Sequence, residues 1–335
     1  MEARGKKGHE ASYMNSYLIT GFSGFVSRHF LEYLNEHEPG ARVLGVDTMS
    51  PDFDCGAYGN ISCRFEKLDL LDRPQADNLI YQFQPRYVLH LASFSSVAYS
   101  WKDPVASFRN NTNIFLNLLE KIRGLGIDCR ILSIGSSEEY GIVGPDYVPI
   151  KEECPLNPVS PYAVARVAQE MLSRVYVDGY GLDIVMTRSF NHIGPRQRDV
   201  FAVSSFIRQI AEMKIRGQKK GELVVGDVSV VRDFLDVRDV VVAYHALLKH
   251  GDKGEVYNVC SGKGVALVDV IEKVARMAGI EVTINRSEKL LRPSENPIVI
   301  GSNEKIRNSV GWELRYELDA SLEDILADWV ERSSI

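Results

Sequence analysis

The sequence predicts an α/β protein built on a doubly wound parallel sheet, with a smaller α/β domain toward its C-terminus. Two observations support this fold class. Short apolar runs alternate with longer segments of helical spacing up to about residue 190, and a glycine-rich segment follows the first run. Beyond that point Gly and Pro interrupt the alternation, as expected where a second domain begins. The apolar runs are Tyr17–Ile19, Val43–Val46, Tyr87–Leu91, Ile131–Ile134 and Ile184–Met186.

The composition is that of an ordinary globular protein. Of 335 residues, 45% are apolar and 25% are charged, and the net charge is -6 with Lys and Arg scattered, which argues against a nucleic-acid partner. No run reaches the roughly 18 apolar residues of a membrane helix, and the segment before Tyr17 lacks a signal peptide's apolar part, so we expect a cytoplasmic protein. The five cysteines are widely spaced and form no CxxC pair, so no metal site or disulfide framework is predicted.

The first motif with chemical content is TGFSGFVS, which follows the first apolar run. Gly21 and Gly24 would close a strand onto a helix, so that backbone N–H groups at the helix N-terminus face a pyrophosphate. Ser27 stands where the dinucleotide-binding pattern has a third glycine, and it is small enough for close packing. A glycine-rich turn without a ligand is the alternative. The predicted cofactor-binding residues of this motif are Gly21, Ser23, Gly24, Phe25 and Val26.

Residues at the ends of the following strands extend this predicted site. Asp47 ends the second strand, 20 residues after Ser27, where a carboxylate can bind the ribose hydroxyls of adenosine. A carboxylate there favours NAD(H) as the cofactor, with NADP(H) as the alternative. Residues after the third and fourth strands would also contact the cofactor, unless they are ordinary strand ends. These residues are Asp69, Leu70, Leu91, Ala92 and Ser93.

A second group of residues has the pattern of a catalytic site. Ser160 and Pro161 predict a helix start, so Tyr162 opens a helix and Arg166 lies one turn later on the same face. In a Tyr-x-x-x-Lys arrangement the ammonium lowers the tyrosine pKa and binds the nicotinamide ribose, while the phenol exchanges a proton with the substrate. Arginine keeps the charge but is planar and longer. Ser136 would bond the same reacting oxygen, and a purely structural serine and tyrosine are the alternative.

Together these motifs resemble the extended short-chain dehydrogenases/reductases that modify nucleotide sugars. The ordered motifs cover roughly residues 16–330 and include HLASFSSV, GSSEEYG, SPYAVAR, FNHIGPRQ, VRDFLDVRDV and LRPSENP. Within that superfamily the chain is most similar to the GDP-4-keto-6-deoxy-D-mannose reductases, which yield GDP-D-rhamnose, with the GDP-mannose 4,6-dehydratases as near relatives. The resemblance implies a Rossmann-type fold and reduction of the C4 keto group of a nucleotide-diphosphate 4-keto-6-deoxy sugar by NAD(P)H.

The resemblance also implies roles for individual residues. Tyr162 corresponds to the general acid that protonates the C4 alkoxide, Ser136 to its hydrogen-bonding partner, and Arg166 to the usual lysine. Glu138 corresponds to the glutamate that removes the C5 proton in the dehydratases, although reductase-like sequences also carry it. The residues that correspond to the binding site for the nucleotide diphosphate and ribose, with a GDP-sugar favoured, are Asn191, Arg232, Arg292 and Glu295.

The loss of the strand and helix alternation from about Phe190 suggests how the chain divides into domains. We expect residues 1–14 to form a flexible tail. Residues 15–190 with about 238–262 would form the NAD(P)-binding domain, and residues 191–237 with about 263–335 the nucleotide-sugar-binding domain.

Family members commonly form homodimers through two helices per subunit. In this chain these would be the helix near Val105 and the helix that holds Tyr162. An apolar helix face can also cover the sheet of its own subunit, so the spacing of residues alone does not establish a dimer.

Two other functional classes stay open on the sequence alone. A redox-neutral dehydratase or epimerase would keep its cofactor and return the hydride internally. A weakly catalytic or non-catalytic nucleotide-binding protein is suggested by Arg166 and by Ser27. We expect Arg166→Lys to retain or raise activity, unless the pocket is shaped around a guanidinium.

Overall fold

The computed structural model describes residues 15–291 and 296–334. The predicted tail, residues 1–14, and the predicted substrate residues Arg292 and Glu295 lie outside the described residues. The strands are β1 (Ser16–Thr20), β2 (Arg42–Asp47), β3 (Ser62–Lys67), β4 (Tyr87–His90), β5 (Arg130–Ser136), β6 (Asp183–Ser189), β7 (Asn191–Ile193), β8 (Lys220–Val225), β9 (Val231–Asp236), β10 (Val256–Val259), β11 (Gly264–Ala266), β12 (Glu281–Arg286) and β13 (Ile298–Val299). The α-helices are α1 (Phe25–His37), α2 (Arg73–Phe83), α3 (Val97–Lys102), α4 (Pro104–Phe108), α5 (Ile114–Leu125), α6 (Pro161–Tyr180), α7 (Ala202–Ile215), α8 (Val237–His250), α9 (Leu267–Ala278), α10 (Glu304–Val310) and α11 (Leu318–Ser333).

The main sheet has seven strands in the order β10-β6-β5-β4-β1-β2-β3, and every pairing in it is parallel. This confirms the predicted fold class. Each of the five apolar runs lies on a strand of this sheet, and β4 ends at His90, one residue before its run ends. The chain winds outward from β1 through β2 to β3 and then returns to β4 on the other side. Ligands bind at such a reversal, in the crevice at the carboxyl ends of the strands.

Two apolar cores cover the two faces of this sheet. Side chains alternate along β1, so that Tyr17 and Ile19 pack with Phe30 of α1 on one face, while Leu18 packs with Phe115 of α5 on the other. All five are fully buried. Because helices cover both faces, the strands are apolar at consecutive positions instead of alternating with polar residues. Each such burial stabilises the fold by about 1.5–3 kcal/mol.

The rest of the chain forms a smaller α/β unit around a third apolar core. β9 pairs with β7, β11 and β13, and β8 pairs with β12. The helices α7, α9 and α11 enclose this core with Phe206, Ile271 and Leu322. β10 and α8, although they come from this half of the sequence, pack with the main sheet.

A partly buried ionic cluster joins β1, α1 and α8. Glu38, the residue after α1, accepts hydrogen bonds from Tyr17 Oη at 2.6 Å and from His245 Nε2 at 2.7 Å, and it pairs with Lys249 Nζ at 2.7 Å. Burial raises the pKa of Glu38, but the hydrogen bonds from His245, Lys249 and Tyr17 outweigh burial and lower the pKa to about 2. The carboxylate of Glu38 is therefore ionised in the folded protein near neutral pH.

We expect Glu38→Gln to lower the free energy of unfolding by about 1–3 kcal/mol at pH 7, because the amide cannot replace the ionic contact with Lys249. A carboxylate with a lowered pKa contributes stability above its unfolded pKa of about 4.3 and loses that contribution as it becomes protonated. The difference between parent and variant should therefore shrink as the pH falls below about 4. Urea unfolding at several pH values measures it, with Glu36→Gln, an exposed glutamate of the same helix, as the control. A loss at pH 3 as large as that at pH 7 would contradict this account.

Candidate active site

The glycine motif forms a tight turn between β1 and α1. Gly21 has φ +69°, and a Cβ on it would lie 2.7 Å from the backbone N of Ala92, so only glycine permits this approach. Gly24 precedes α1, and its N–H donates to the carbonyl of Gly21 at 3.1 Å. Ser27 is fully buried, and its hydroxyl donates to the same carbonyl at 3.1 Å. The serine in the third glycine position therefore closes the turn instead of disrupting it.

Asp47 joins this turn to the end of β2. Its Oδ2 accepts a hydrogen bond from the backbone N–H of Ser23 at 3.0 Å, and its Oδ1 accepts one from Met49 at 3.1 Å. The hydroxyl of Ser23 also donates to the carbonyl of Met49. The carboxylate thus stands directly beside the glycine turn, which is the position predicted for a residue that binds the adenosine ribose.

Four further predicted cofactor residues lie at the same edge of the sheet. Phe25 and Val26 open α1, and Asp69 and Leu70 follow β3. Asp69 is exposed, and its Oδ1 accepts from the backbone N–H of Leu71 at 2.8 Å. Leu70 is buried in the core. Asp69 is therefore accessible to a ligand, whereas Leu70 offers only its backbone.

The loop after β4 is anchored on Thr20 of β1. The N–H of Leu91 donates to the carbonyl of Thr20 at 3.1 Å, and the N–H of Ala92 donates to its hydroxyl at 3.2 Å. The hydroxyl also bonds Nδ1 of His90 at 2.9 Å. Burial, together with the positive charge of Arg166, lowers the pKa of His90 to about 3, so this imidazole is neutral.

The far side of the same loop is held by Asn111, which lies in the π-helical turn Arg109–Asn113. The buried Asn111 side chain accepts from the N–H of Phe94 at 2.7 Å and donates to its carbonyl at 3.2 Å. Single π turns are frequent at functional sites. Ser93 lies between the two anchors, so its position at the carboxyl end of β4 is well defined.

Tyr162 and Arg166 lie one turn apart at the buried start of α6 and are 6% and 4% exposed. Arg166 Nε donates to Tyr162 Oη at 3.2 Å, and the guanidinium carbon lies 5.2 Å from the centroid of the ring. Arg166 Nη1 donates to the carbonyl of Ile134 at 2.9 Å, and Nη2 donates to Ser93 Oγ at 2.5 Å. One guanidinium therefore links α6 to the carboxyl ends of both β4 and β5.

Gln169 completes this arrangement and is not among the residues predicted from the sequence. Its Oε1 accepts from Arg166 Nη1 at 2.8 Å, and its Nε2 donates to Ser133 Oγ at 2.9 Å and to the carbonyl of Ile134 at 3.1 Å. The spacing of residues 162, 166 and 169 along one helix face is the signal that could have found it. Because the pocket is shaped around a guanidinium, we revise the expectation that Arg166→Lys retains full activity.

Ser136 ends β5, two residues after Ile134, and is 9% exposed. Its Oγ accepts from the N–H of Glu138 at 3.3 Å. Glu138 itself is half-buried, whereas the next residue, Glu139, is fully buried and accepts the N–H of Ser136 at 2.7 Å. Glu138 is among the residues predicted from the sequence, whereas Glu139 is not.

Asn191 and Arg232, two of the predicted substrate residues, lie on the adjacent strands β7 and β9 of the smaller unit. Asn191 is exposed, and its Nδ2 donates to the carbonyl of Asp233 at 3.3 Å. Arg232 is 9% exposed, and its Nη1 donates to the carbonyl of Val231 at 2.8 Å. The structure thus brings these two predicted residues onto one small sheet.

The residues at the crevice fit a dinucleotide. Gly21 lets the loop after β4 lie close against the turn, and no side chain caps the N-terminus of α1, so the first N–H groups of α1 remain available to an anion. Within residues 15–291 and 296–334, no group of three or more His, Cys, Asp or Glu side chains is arranged to hold a metal ion. In the same part of the chain, no helix combines the length and apolarity needed to cross a membrane.

Residues 18–325 match the family model described as GDP-mannose 4,6 dehydratase. The chain belongs to this family. It is 37% identical to the GDP-6-deoxy-D-mannose reductase of Pseudomonas aeruginosa over 315 aligned residues. The aligned part covers 94% of this chain and 97% of that protein. This membership confirms the predicted resemblance to the extended short-chain dehydrogenases/reductases that modify nucleotide sugars.

Solved structures give the same result. The structure of RMD from Pseudomonas aeruginosa complexed with NADPH matches with a TM-score of 0.83 at 35% identity, over 95% of this chain and 100% of that one. The UDP-glucose 4-epimerase of Thermus thermophilus in complex with NAD matches with a TM-score of 0.81 at 28% identity, over 96% and 100%. These matches confirm the Rossmann-type fold of this member of the GDP-mannose 4,6-dehydratase family.

The contacts of Arg166 lead to a graded prediction for its variants. We expect Tyr162→Phe and Arg166→Met each to lower kcat by about 10²-fold, the scale of lost general acid catalysis. Arg166→Lys should lower kcat by roughly 10-fold, because an ammonium keeps the charge but cannot reach Tyr162, Gln169 and Ser93 together. Steady-state oxidation of NADH measures these effects, with Arg216→Lys, an exposed arginine after α7, as the control. An Arg166→Met enzyme as fast as the parent would remove Arg166 from the catalytic machinery.

Proposed function

We propose that this protein reduces the C4 keto group of GDP-4-keto-6-deoxy-D-mannose to GDP-D-rhamnose with NAD(P)H. The observation that carries the proposal is the 37% identity to a GDP-6-deoxy-D-mannose reductase over 94% of the chain. The Tyr162–Arg166 pair supports it, because it presents an oriented phenol beside the dinucleotide crevice. The similar structures complexed with NADPH and with NAD support the cofactor class.

In this proposal Tyr162 is the proton donor. Arg166 Nε already donates to the phenol oxygen, so the hydrogen of the phenol is left to bond the C4 oxygen of the sugar. When bound, NAD(P)H supplies a hydride to C4. The phenol proton moves to the C4 oxygen, which becomes the new hydroxyl, and the guanidinium stabilises the phenolate that remains. Ser136 provides a second hydrogen bond to the same oxygen.

The smaller unit would hold the nucleotide part of the substrate. Arg232 suits a diphosphate because a guanidinium can form two parallel hydrogen bonds to phosphate oxygens. Asn191 on the adjacent strand is exposed and positioned to bind beside it. We assign Arg292 and Glu295 to the same site from the family resemblance. In this assignment the main sheet binds the cofactor and the smaller unit binds the sugar nucleotide.

The test is to incubate the purified protein with GDP-4-keto-6-deoxy-D-mannose and either NADH or NADPH, following absorbance of the reduced cofactor and identifying the product by NMR. We expect one cofactor molecule oxidised per sugar and a new hydroxyl at C4. NADH should bind more tightly than NADPH, because the Asp47 carboxylate repels a 2′-phosphate. Conversion of a sugar nucleotide without net cofactor oxidation would instead support a dehydratase or epimerase, and about tenfold tighter NADPH binding would contradict the role of Asp47.

We also infer that the protein acts as a homodimer. The outer faces of α3, α4 and α6 expose large apolar side chains, and Val105 and Val175 are 76% and 57% exposed. An apolar patch of this kind on a folded protein marks an interaction surface. We infer a second copy of the chain as the partner, because α3, α4 and α6 of one subunit could then pack against the same helices of the other around a two-fold axis. The exposed residues of this patch are Trp101, Val105, Phe108, Val164, Met171 and Val175.

We expect light scattering to give twice the mass of one chain for the parent protein. The double variant Val105→Glu, Val175→Glu should shift the protein to monomers, because burying two unpaired carboxylates in an interface is strongly unfavourable. Val224→Glu, which changes a 44% exposed valine on β8, serves as the control and should leave the dimer intact. A parent that is monomeric at micromolar concentration would end the inference.

A further inference from the structure

Glu139 occupies an unusual position directly behind Ser136. It lies in the short 3-10 helix Ser137–Tyr140 that follows β5, and its side chain is fully buried. One carboxyl oxygen, Oε1, accepts the backbone N–H of Ser136 at 2.7 Å. Burying a glutamate is costly unless the carboxyl group has a specific partner, so this contact calls for a reason beyond packing.

The backbone around Ser136 is built to accommodate this carboxyl group. A Cβ on Gly135 would lie 2.4 Å from Glu139 Oε1 and 2.4 Å from the carbonyl of Thr187 on β6. Any other residue at position 135 would displace either the carboxyl group or the neighbouring strand. The glycine of the GSSEEYG motif is therefore explained by the buried glutamate that lies against it.

A second carboxyl group faces Glu139 from α6. Glu170 is 4% exposed and is held by Arg188 of β6, whose Nε and Nη2 both donate to it at 2.8 Å, and by Arg174, whose Nη2 donates at 3.0 Å. Arg188 Nη1 donates in turn to Tyr140 Oη at 3.0 Å. Because Glu170 is already doubly paired, it stays ionised and presents a negative charge to its neighbour.

Burial and the charge of Glu170 together raise the pKa of Glu139. Burial is the larger cause and Glu170 adds to it, while the hydrogen bond from Ser136 and the positive charge of Arg188 lower the pKa of Glu139 without reversing the shift. Glu139 is therefore protonated over a range in which an exposed glutamate is ionised.

We propose that Glu139 is a positioning residue whose carboxyl group fixes the backbone of Ser136 in a turn that packs against α6, the helix that carries Tyr162 and Arg166. The proposal rests on the proposed function, because Ser136 matters for turnover only if it bonds the reacting oxygen. Ser136 and Tyr162 come from different elements, β5 and α6, and the 3-10 turn that holds Glu139 packs against α6. A misplacement of about 1 Å between such groups can cost about 10²-fold in rate.

Two substitutions separate this role from simple filling of space. In Glu139→Gln the amide oxygen can still accept from Ser136 and the amide nitrogen can donate to Glu170, so kcat should stay within about threefold of the parent. Glu139→Leu fills a similar volume but removes the acceptor, so kcat should fall by about tenfold or more while KM for the sugar and for NADH changes less than about twofold. Equal activity of Glu139→Leu and the parent, or equal loss in both variants, overturns the proposal.

The pH dependence of stability supplies a readout that does not depend on turnover. A carboxyl group with a raised pKa stabilises the fold at low pH and loses this contribution as the pH rises from its unfolded value, about 4.3, to its folded value. The unfolding midpoint of Glu139→Gln relative to the parent should therefore increase between pH 5 and pH 8 and then level off. The charged and titratable groups around the site, which both proteins share, are Glu170 and Arg174 of α6, Arg188 of β6, and Tyr140. A difference that is constant with pH overturns the proposal.

Hydrogen exchange distinguishes failure of this proposal from failure of the proposed function. The Ser136 amide should exchange slowly in the parent and in Glu139→Gln, and at least about tenfold faster in Glu139→Leu. If the parent oxidises no NADH with the keto sugar but this pattern appears, the proposed function fails and the positioning contact stands. If the parent is active and Ser136 exchange is equal in all three proteins, the positioning proposal fails alone. Should Glu139→Leu not fold, the pH trend of Glu139→Gln decides.

Discussion

The buried guanidinium of Arg166 is the interaction on which the arrangement of the candidate site depends. Removing such a charge from water costs several kcal/mol, and only well-placed acceptors offset the cost. Within the described residues no carboxylate forms an ion pair with Arg166, and its acceptors are all neutral: Tyr162, Ser93, Gln169 and the carbonyl of Ile134. Each hydrogen bond to a charged group is worth about 1.5–3 kcal/mol, so four of them are sufficient. The positive charge therefore persists beside the phenol instead of being neutralised.

This charge has consequences for the residues around it. His90 lies at the end of β4, within the field of Arg166, and its imidazole stays neutral and bonds Thr20. A protonated His90 would add a second buried cation, which the site has no anion to balance in the described part of the chain. The loop that carries Leu91, Ala92 and Ser93 thus keeps its anchor on β1 across the whole physiological pH range.

Much of the fold and part of the site follow from local patterns in the sequence. The five apolar runs, the turn at Gly21 and the helix start at Tyr162 depend on neighbours within a few residues, so composition and spacing are enough to predict them. Contacts between distant segments are harder to predict, because nothing near Arg166 in the chain indicates that Ser93 would accept a hydrogen bond from it. The same limit on prediction from local sequence applies to the adjacent residues Glu138 and Glu139. Which of the two is buried depends on how the 3-10 turn meets α6 and β6, and that is a property of the packed structure.

The helix α6 has two faces with unrelated chemistry. Its inner face carries Tyr162, Arg166 and Gln169, whereas Val164 and Val175 point outward among the exposed apolar residues. A helix of this length behaves as a rigid rod about 30 Å long. A shift of α6 caused by packing on its outer face would therefore also move the residues on its inner face. In the proposed homodimer, substitutions on the outer surface would therefore be constrained by the reaction rate as well as by association. A variant that changes only how two copies pack in that dimer would then alter turnover without contacting the substrate.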